Sequence, residues 1–242
     1  MSIFYTLINL IYPAQCIVCG KKINEWNNGI CNDCIKKIKK RLPPFCARCG
    51  RHLPEGPETY PLCVECRNNL FYFDRAVSVF YYEGVLRQLI HNFKYNKMIS
   101  LSTYFSSCMV DFMKDYHVGN SCQIVTSVPM HPFRLLTREF NIPDILARKI
   151  AKELGLEYCR LLKKIKNTVP QSMLDRTQRL KNVKGTFSIN KNKINKIKNK
   201  DILLVDDLFT TGSTANECAR ILKAGGANRV EVITLACADK PI

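Results

Sequence analysis

The stretch ILLVDDLFTTGST, residues 202–214, decides how this chain is read. Its apolar start is the end of a buried strand, which delivers two adjacent carboxylates, Asp206 and Asp207, at its carboxyl end. A turn of small hydroxylated residues around one glycine follows: Thr210, Thr211, Gly212, Ser213 and Thr214. Glycine lets the backbone approach a ligand closely and take dihedrals that other residues avoid. The N–H groups at a helix start, joined by four hydroxyls, make an anion nest. A phosphate at the turn and two vicinal hydroxyls on the carboxylates together describe a ribose 5-phosphate. An ordinary strand–turn–helix junction capped by Ser213 or Thr214 would explain the hydroxyls. It leaves the acidic pair without a purpose.

Outward from this loop, apolar runs alternate with amphipathic ones. AVSVFYY (76–82), QIVTSVPM (123–130), DILLVDD (201–207) and RVEVITLACA (229–238) read as strands. EGVLRQLIHNFKYN (83–96), residues 100–117, NIPDILARKIAKELG (141–155) and STANECARILKAGG (213–226) read as helices. Pro143 stands in the first turn of the third helix and Gly155 at its end, as helix boundaries favour. The alternation predicts an α/β fold with a mostly parallel sheet and helices on both faces. Ligands of such sheets sit outside the carboxyl ends of the strands. INKNKINKIKNK, 189–200, is of low complexity and reads as a surface loop or extended hairpin without chemistry of its own.

The chain has 242 residues, 46% hydrophobic, enough for one ordinary domain and a small one. The division expected is 1–70 and 71–242. The formal net charge is +17, which suggests a polyanionic partner or a phosphate-rich ligand. Residues 160–200 carry most of it, with thirteen Lys/Arg against one acid, Asp175. A solvated lysine-rich surface is the plainer account of that segment.

Eight of the thirteen cysteines lie in the first 66 residues as C-x-x-C pairs: Cys16/Cys19, Cys31/Cys34, Cys46/Cys49 and Cys63/Cys66. Each pair can clasp one side of a tetrahedral Zn²⁺, so four pairs fill two sites, as in a double zinc ribbon. Gly20 and Gly50 follow their pairs, as in a metal knuckle. Sequential pairing is the simplest, and spacing leaves a crossed pairing open. A stretch with so little apolar content can use metal in place of a core. The other five cysteines read as small buried hydrophobes.

Residues 1–12, MSIFYTLINLIY, suit one face of a short helix docked on the protein. That is too short to span a bilayer, and no basic residue precedes Lys21 as a secretory signal would require. A cytoplasmic protein without a transmembrane segment is expected, with peripheral contact at the inner face of a membrane as the lesser alternative.

The loop 202–214 resembles the signature of type I phosphoribosyltransferases, which bind 5-phosphoribosyl-1-pyrophosphate (PRPP) with Mg²⁺. The resemblance implies that Asp206 and Asp207 hold the ribose hydroxyls and that 210–214 hold the 5-phosphate. It also implies that TSVPMH (126–131), with Ser127, Val128 and Pro129, binds pyrophosphate. Residues 167–187 stand where a mobile loop closes over the site, which brings Arg176, Arg179 and Lys181 to the departing pyrophosphate. Enzymes acting on 6-oxopurines carry an aspartate where this chain has Thr210, which counts against such an acceptor.

Further motifs occur in order. They are Y-x-G-x-x-R-x-L-I-H-x-x-K-Y from Tyr82 to Tyr95, V-P-x-H-P-x-R from Val128 to Arg134, and P-Q-x-x-L-x-R-x-x-R-x-x-N-x-x-G-x-F from Pro170 to Phe187. With the cysteine pairs before them and V-D-D-x-x-T-T-G-x-T after, they resemble the ComF family over nearly the whole chain. One departure is EFNIP, 139–143, where that family usually has a glycine before Phe140 and a glutamine after Asn141. The resemblance implies a type I phosphoribosyltransferase fold behind a double zinc ribbon, and a role in natural transformation, the uptake of single-stranded DNA. Three functions follow as expectations. One is a PRPP- and Mg²⁺-dependent transferase with Asp206, Asp207, Arg176 and Arg179 at its centre. Another is a single-stranded DNA-handling protein that reuses the anion nest. The third is an interaction module whose ribbons dock a DNA-uptake helicase or channel. Only four residues follow the last strand, so a hood over the acceptor is expected from residues 1–70.

Overall fold

The structure is a computed structural model and describes residues 14–23, 29–54, 61–168 and 182–238. The expected helix at 1–12 lies outside these residues, as do Arg176, Arg179 and Lys181.

Five parallel strands form one sheet in the order β1–β7–β6–β2–β3. They are β1 (Arg75–Tyr81), β2 (Ile124–Ser127), β3 (Glu157–Tyr158), β6 (Asp201–Phe209) and β7 (Arg229–Cys237). β6 and β7 lie in the interior of the sheet, and most of their residues are buried. This is why they read as continuous apolar runs rather than alternating ones. Helices Gly84–Tyr95, Leu101–Asp115 and Ile142–Leu154 pack on one face with Leu203, Val205, Ile233 and Leu235. Helix Ser213–Ala224 covers the other, against Ile202, Leu204, Val230 and Val232. On that second face lies a separate antiparallel pair, β4 (Leu162–Lys164) and β5 (Phe187–Ile189). It brackets the segment expected to be the mobile loop.

The low-complexity stretch differs from its sequence reading. β5 ends at Ile189, and Lys191–Lys196 form a 3₁₀ helix rather than an open loop or hairpin. Ile197 is fully buried in the second-face core. One recurring isoleucine therefore anchors a segment whose lysines stay in water.

The cysteine module caps the β1 edge of the sheet. Lys40 forms an antiparallel bridge with Phe80; the Arg41 N–H donates to the Val79 carbonyl at 2.9 Å and the Ala76 N–H to the Arg48 carbonyl at 2.6 Å. An exposed edge strand is thus covered, which sheets require. Gly50 sits so close that a Cβ there would lie 2.4 Å from the Ala76 carbonyl oxygen, and its φ is +65°. Only glycine fits this joint. Arg41 is buried beside the Phe45 and Tyr81 rings, its guanidinium 5.4 Å from each centroid. Cys16, Cys31 and Cys34 join the first-face core, and Cys46, Cys49 and Cys66 the second. The module therefore straddles the sheet edge.

Candidate metal centres and phosphate cleft

Two four-sulfur sites are assembled, Cys16–Cys19–Cys31–Cys34 and Cys46–Cys49–Cys63–Cys66, with all ligand atoms of each within 4.8 Å of one another. The pairing is sequential. A zinc–sulfur bond of about 2.3 Å sets a tetrahedral edge of roughly 3.8 Å. The Cys19–Cys31 and Cys49–Cys63 sulfurs stand 3.7 and 3.6 Å apart, so the sets fit the ion. Burial opposes ionisation at Cys16, yet backbone N–H groups of Cys31, Cys19 and Val18 bring it down to about 6. A hydrogen bond from Cys49, helped by backbone N–H groups, holds Cys46 down to about 4. Each site thus holds one sulfur ready to bind as thiolate.

The second site lies at the carboxyl ends of the strands. Helices after β2 and β6 go to opposite faces of the sheet, which opens a crevice between those strands. A cleft of about 1120 Å³ occupies it. Asp206, Asp207, Thr210 and Thr214 line it from the β6 side, Val128 and Pro129 from the β2 side. Gly212 caps helix Ser213–Ala224 with φ +75° and has no side chain to bond the helix start; the Ser213 N–H donates to the Thr211 hydroxyl at 3.4 Å. The Thr211 and Ser213 hydroxyls also bond to each other. A Cβ on Gly212 would meet the Phe209 ring at 2.7 Å, so the turn closes only with glycine.

Asp206 is buried, and burial together with the neighbouring Asp207 charge pushes its carboxyl up to about 8. Asp207 is paired with Lys94 Nζ at 2.7 Å, with side-chain exposures of 19% and 16%. Burial would pull Lys94 down, but Asp207 more than offsets it and holds the ammonium above the usual lysine range. Lys164 also lines the cleft; burial first and Arg134 second draw it below the usual range. Sequence reasoning quoted Lys94 inside a motif without giving it a role, and missed Lys164. The signal for Lys94 was its place one turn beyond the Arg87–His91 spacing on the polar side of its helix.

Ser127 is turned from the cleft: it is buried, and its hydroxyl stands 3.4 Å from the Tyr158 hydroxyl. Tyr158 donates to Asp144, which Arg160 also grips through two bonds of 2.8 Å and Arg148 through one of 3.0 Å. Burial works against the Asp144 charge, yet these partners bring its carboxyl to about 2. Asn141 donates to the Val128 carbonyl at 3.0 Å. This network braces the β2 loop from behind. Glu139, where the resembling family has glycine, takes the left-handed conformation at φ +65°; the backbone here asks for the residue that this chain lacks.

The described ribbon residues do not line the cleft, so the expected hood from 1–70 is not built by them. Their anchorage on the β1 edge explains it. The wall facing the loop is instead the polar face of helix Gly84–Tyr95.

Comparison with known proteins matches this architecture. Residues 7–67 fit the double zinc ribbon domain and residues 145–242 the phosphoribosyl transferase domain. Competence protein F of Haemophilus influenzae is 28% identical over 93% of this chain and 97% of its own length. Competence protein ComFC of Bacillus subtilis is 25% identical over 93% and 95%. Over more than nine-tenths of its length the chain is thus similar to proteins named competence protein F and ComFC. DNA utilization protein YhgH of Escherichia coli K12 is similar over 92% of this chain and 96% of its own length, at 26% identity. Among solved structures, the B. subtilis glutamine PRPP amidotransferase is similar over 60% of this chain and 27% of its own, at 18% identity and a TM-score of 0.39. A purine phosphoribosyltransferase from Pyrococcus horikoshii is similar over 58% and 77%, at 13% identity and a TM-score of 0.35. The chain thus joins a double zinc ribbon to a phosphoribosyltransferase-like parallel sheet. No described helix is long and apolar enough to cross a membrane.

Proposed function

We propose that the cleft binds a ribose 5-phosphate group, with PRPP and Mg²⁺ as its ligand, in a protein that serves DNA uptake in natural transformation. The observation that carries this reading is the paired Asp206/Asp207 beside a hydroxyl-rich glycine turn at a helix start, inside one cleft with Lys94 and Lys164. The turn 210–214 would take the 5-phosphate, the two carboxylates the ribose hydroxyls, and Val128–Pro129 with Lys164 the pyrophosphate. Mg²⁺ would arrive with PRPP and neutralise its phosphates. Arg176 and Arg179 are assigned to the closing segment between β4 and β5. The relatives' names, competence protein and DNA utilization protein, support the biological setting; a cytoplasmic location is part of the proposal.

The test is thermal unfolding with PRPP and Mg²⁺. A ligand at a hundred times its Kd adds about 2.7 kcal/mol, or roughly 2–4 °C per kcal/mol for a chain of this size. The wild type should gain that shift and an Asp206→Ala/Asp207→Ala variant should lose it. A wild type that shows no shift at millimolar PRPP ends the proposal.

A second reading has its own observation: Lys164 links the cleft to the basic segment 160–200. Single-stranded DNA would then run along that segment with a phosphate in the turn. Its affinity should fall steeply with salt, and the double aspartate variant should bind it at least as well.

A further inference from the structure

The proposed ligand brings Mg²⁺ with it, and two adjacent carboxylates could hold a divalent cation. One of the two is already taken. Lys94, in the last turn of helix Gly84–Tyr95, sets its Nζ 2.7 Å from Asp207 Oδ2. Mg²⁺ asks for close to six oxygen ligands and gives up its water reluctantly, so a site for it needs room and several free oxygens.

The surroundings of Asp207 supply neither. Against the ion pair lies a cavity of about 10 Å³, space for about one water. Met130, Phe140, Ile142 and Pro143 line it beside the pair, and Arg138 adds a second cation. On the cleft side, Asp206 Oδ1 accepts the Asp207 N–H at 2.9 Å, so one of its oxygens is engaged by the backbone. Among the described residues that line the cleft, Asp206 and Asp207 are the only carboxylates, while Arg87, Lys94, Arg134, Arg138 and Lys164 are cationic. A divalent ion would therefore enter a positive cleft. To reach Asp207 it would have to displace an ammonium whose side chain is only 16% exposed, and breaking such a pair leaves a charge uncompensated.

We infer that Lys94 is a positioning residue that stands on Asp207 where a divalent cation would, so that the acid pair receives sugar hydroxyls without a metal of its own. The ammonium fixes the carboxylate by Oδ2 and leaves Oδ1 to accept a hydroxyl. Magnesium then belongs to the phosphates of the ligand and not to the carboxylates. The sugar half of this inference rests on the ribose 5-phosphate reading; the metal half does not.

The experiment has two arms on the zinc-loaded full chain. Mn²⁺ alone is the first probe, because it suits the same oxygen ligands as Mg²⁺ and not the thiolate sites, and its free ion is counted by electron paramagnetic resonance. Wild type should take up none in the cleft at millimolar Mn²⁺. Lys94→Met should bind one ion per chain at least tenfold more tightly, and Lys94→Met/Asp207→Asn should lose it. Lys94→Arg keeps the charge and should behave as wild type. Melting temperature and zinc content show which variants are folded. A wild type that binds one Mn²⁺ which Asp207→Asn removes, or a folded Lys94→Met that gains none, overturns the inference.

The second arm needs no variant. Ribose 5-phosphate lacks the pyrophosphate that would carry Mg²⁺ itself, so it reports the acid pair and the turn. Calorimetric titration of wild type should give affinities within fivefold of each other in magnesium-free buffer and with millimolar Mg²⁺. A larger gain with Mg²⁺ overturns the inference. No binding in either buffer ends the ribose 5-phosphate reading, and the manganese arm then decides on Lys94 by itself.

Discussion

The ribbon and the sheet solve the same problem by different physics. In the ribbon, seven of the eight paired cysteines are buried or half-buried, with a few apolar neighbours such as Ile30, Ile38 and Leu53. In the sheet, whole strands are buried by aliphatic contact with helices on both faces. Sulfur and metal therefore do for the ribbon what apolar area does for the sheet. The two are not separate bodies, because each four-cysteine site feeds one of the two sheet cores. A change in the ribbon should then be felt along β1, and a change in the cleft should not be felt in the ribbon.

Cys49→Ser tests that coupling most strongly. It should lower bound zinc from two ions to one per chain and destabilise the protein by about 3 kcal/mol or more. Metal analysis with thermal unfolding reads both. Loss of one ion with an unchanged melt would show the ribbon to be an appendage, and the contrast above would fail.

Asp206→Asn probes the cleft. The folded carboxyl is raised to about 8 and the unfolded one lies near 3.9. The native chain thus holds a proton that the unfolded chain releases. Its stabilising share is complete below about pH 4 and is lost as pH rises towards 8, by up to about 1.4 kcal/mol per pH unit. Asparagine is neutral throughout, so the variant should gain about 2–4 kcal/mol on the wild type between pH 5 and 8. Zinc content should not move. A melting difference that stays constant with pH would break the account of Asp206.

Lys94→Met should cost about 1–3 kcal/mol, since it leaves Asp207 without its partner at 19% exposure. Adding Asp207→Asn should recover much of the loss. A double variant as unstable as the sum of the singles would mean that Lys94 matters for packing rather than charge.

How much of this was readable in the sequence follows the same divide. The ribbon was legible because its ligands sit close together in the chain, three positions apart within each pair. Only the pairing needed three dimensions. The sheet was legible from its apolar runs, and the β6 turn from its own residues. The facing wall was not. Arg87, His91, Tyr95, Arg138 and Lys164 come from three separate elements, and each alone reads as a solvated charge or ring. The short β3, β4 and β5 also escaped, having only two or three residues each. They exist through pairing partners far away in the chain. Ile197 escaped because the lysines around it hid one buried side chain.

The smallest effect belongs to the turn where this chain departs from the ComF pattern. Glu139 holds φ +65°, which costs a non-glycine residue about 1–2 kcal/mol. Its carboxylate pairs with Lys97, itself at φ +53°, with both side chains more than half exposed. Such a surface pair returns about 0–1 kcal/mol, and glycine adds unfolded-state entropy worth about 0.4–1 kcal/mol. Glu139→Gly should therefore move stability by less than about 1 kcal/mol, and its effect should grow more favourable at high salt, where the lost pair matters less. Denaturant unfolding at low and high salt reads the difference. A loss well above 1 kcal/mol that salt does not change would show the strain estimate to be wrong and Glu139 to be held by contacts other than charge. A small gain would place this turn with the sheet side of the comparison, where backbone geometry rather than a particular side chain sets the structure.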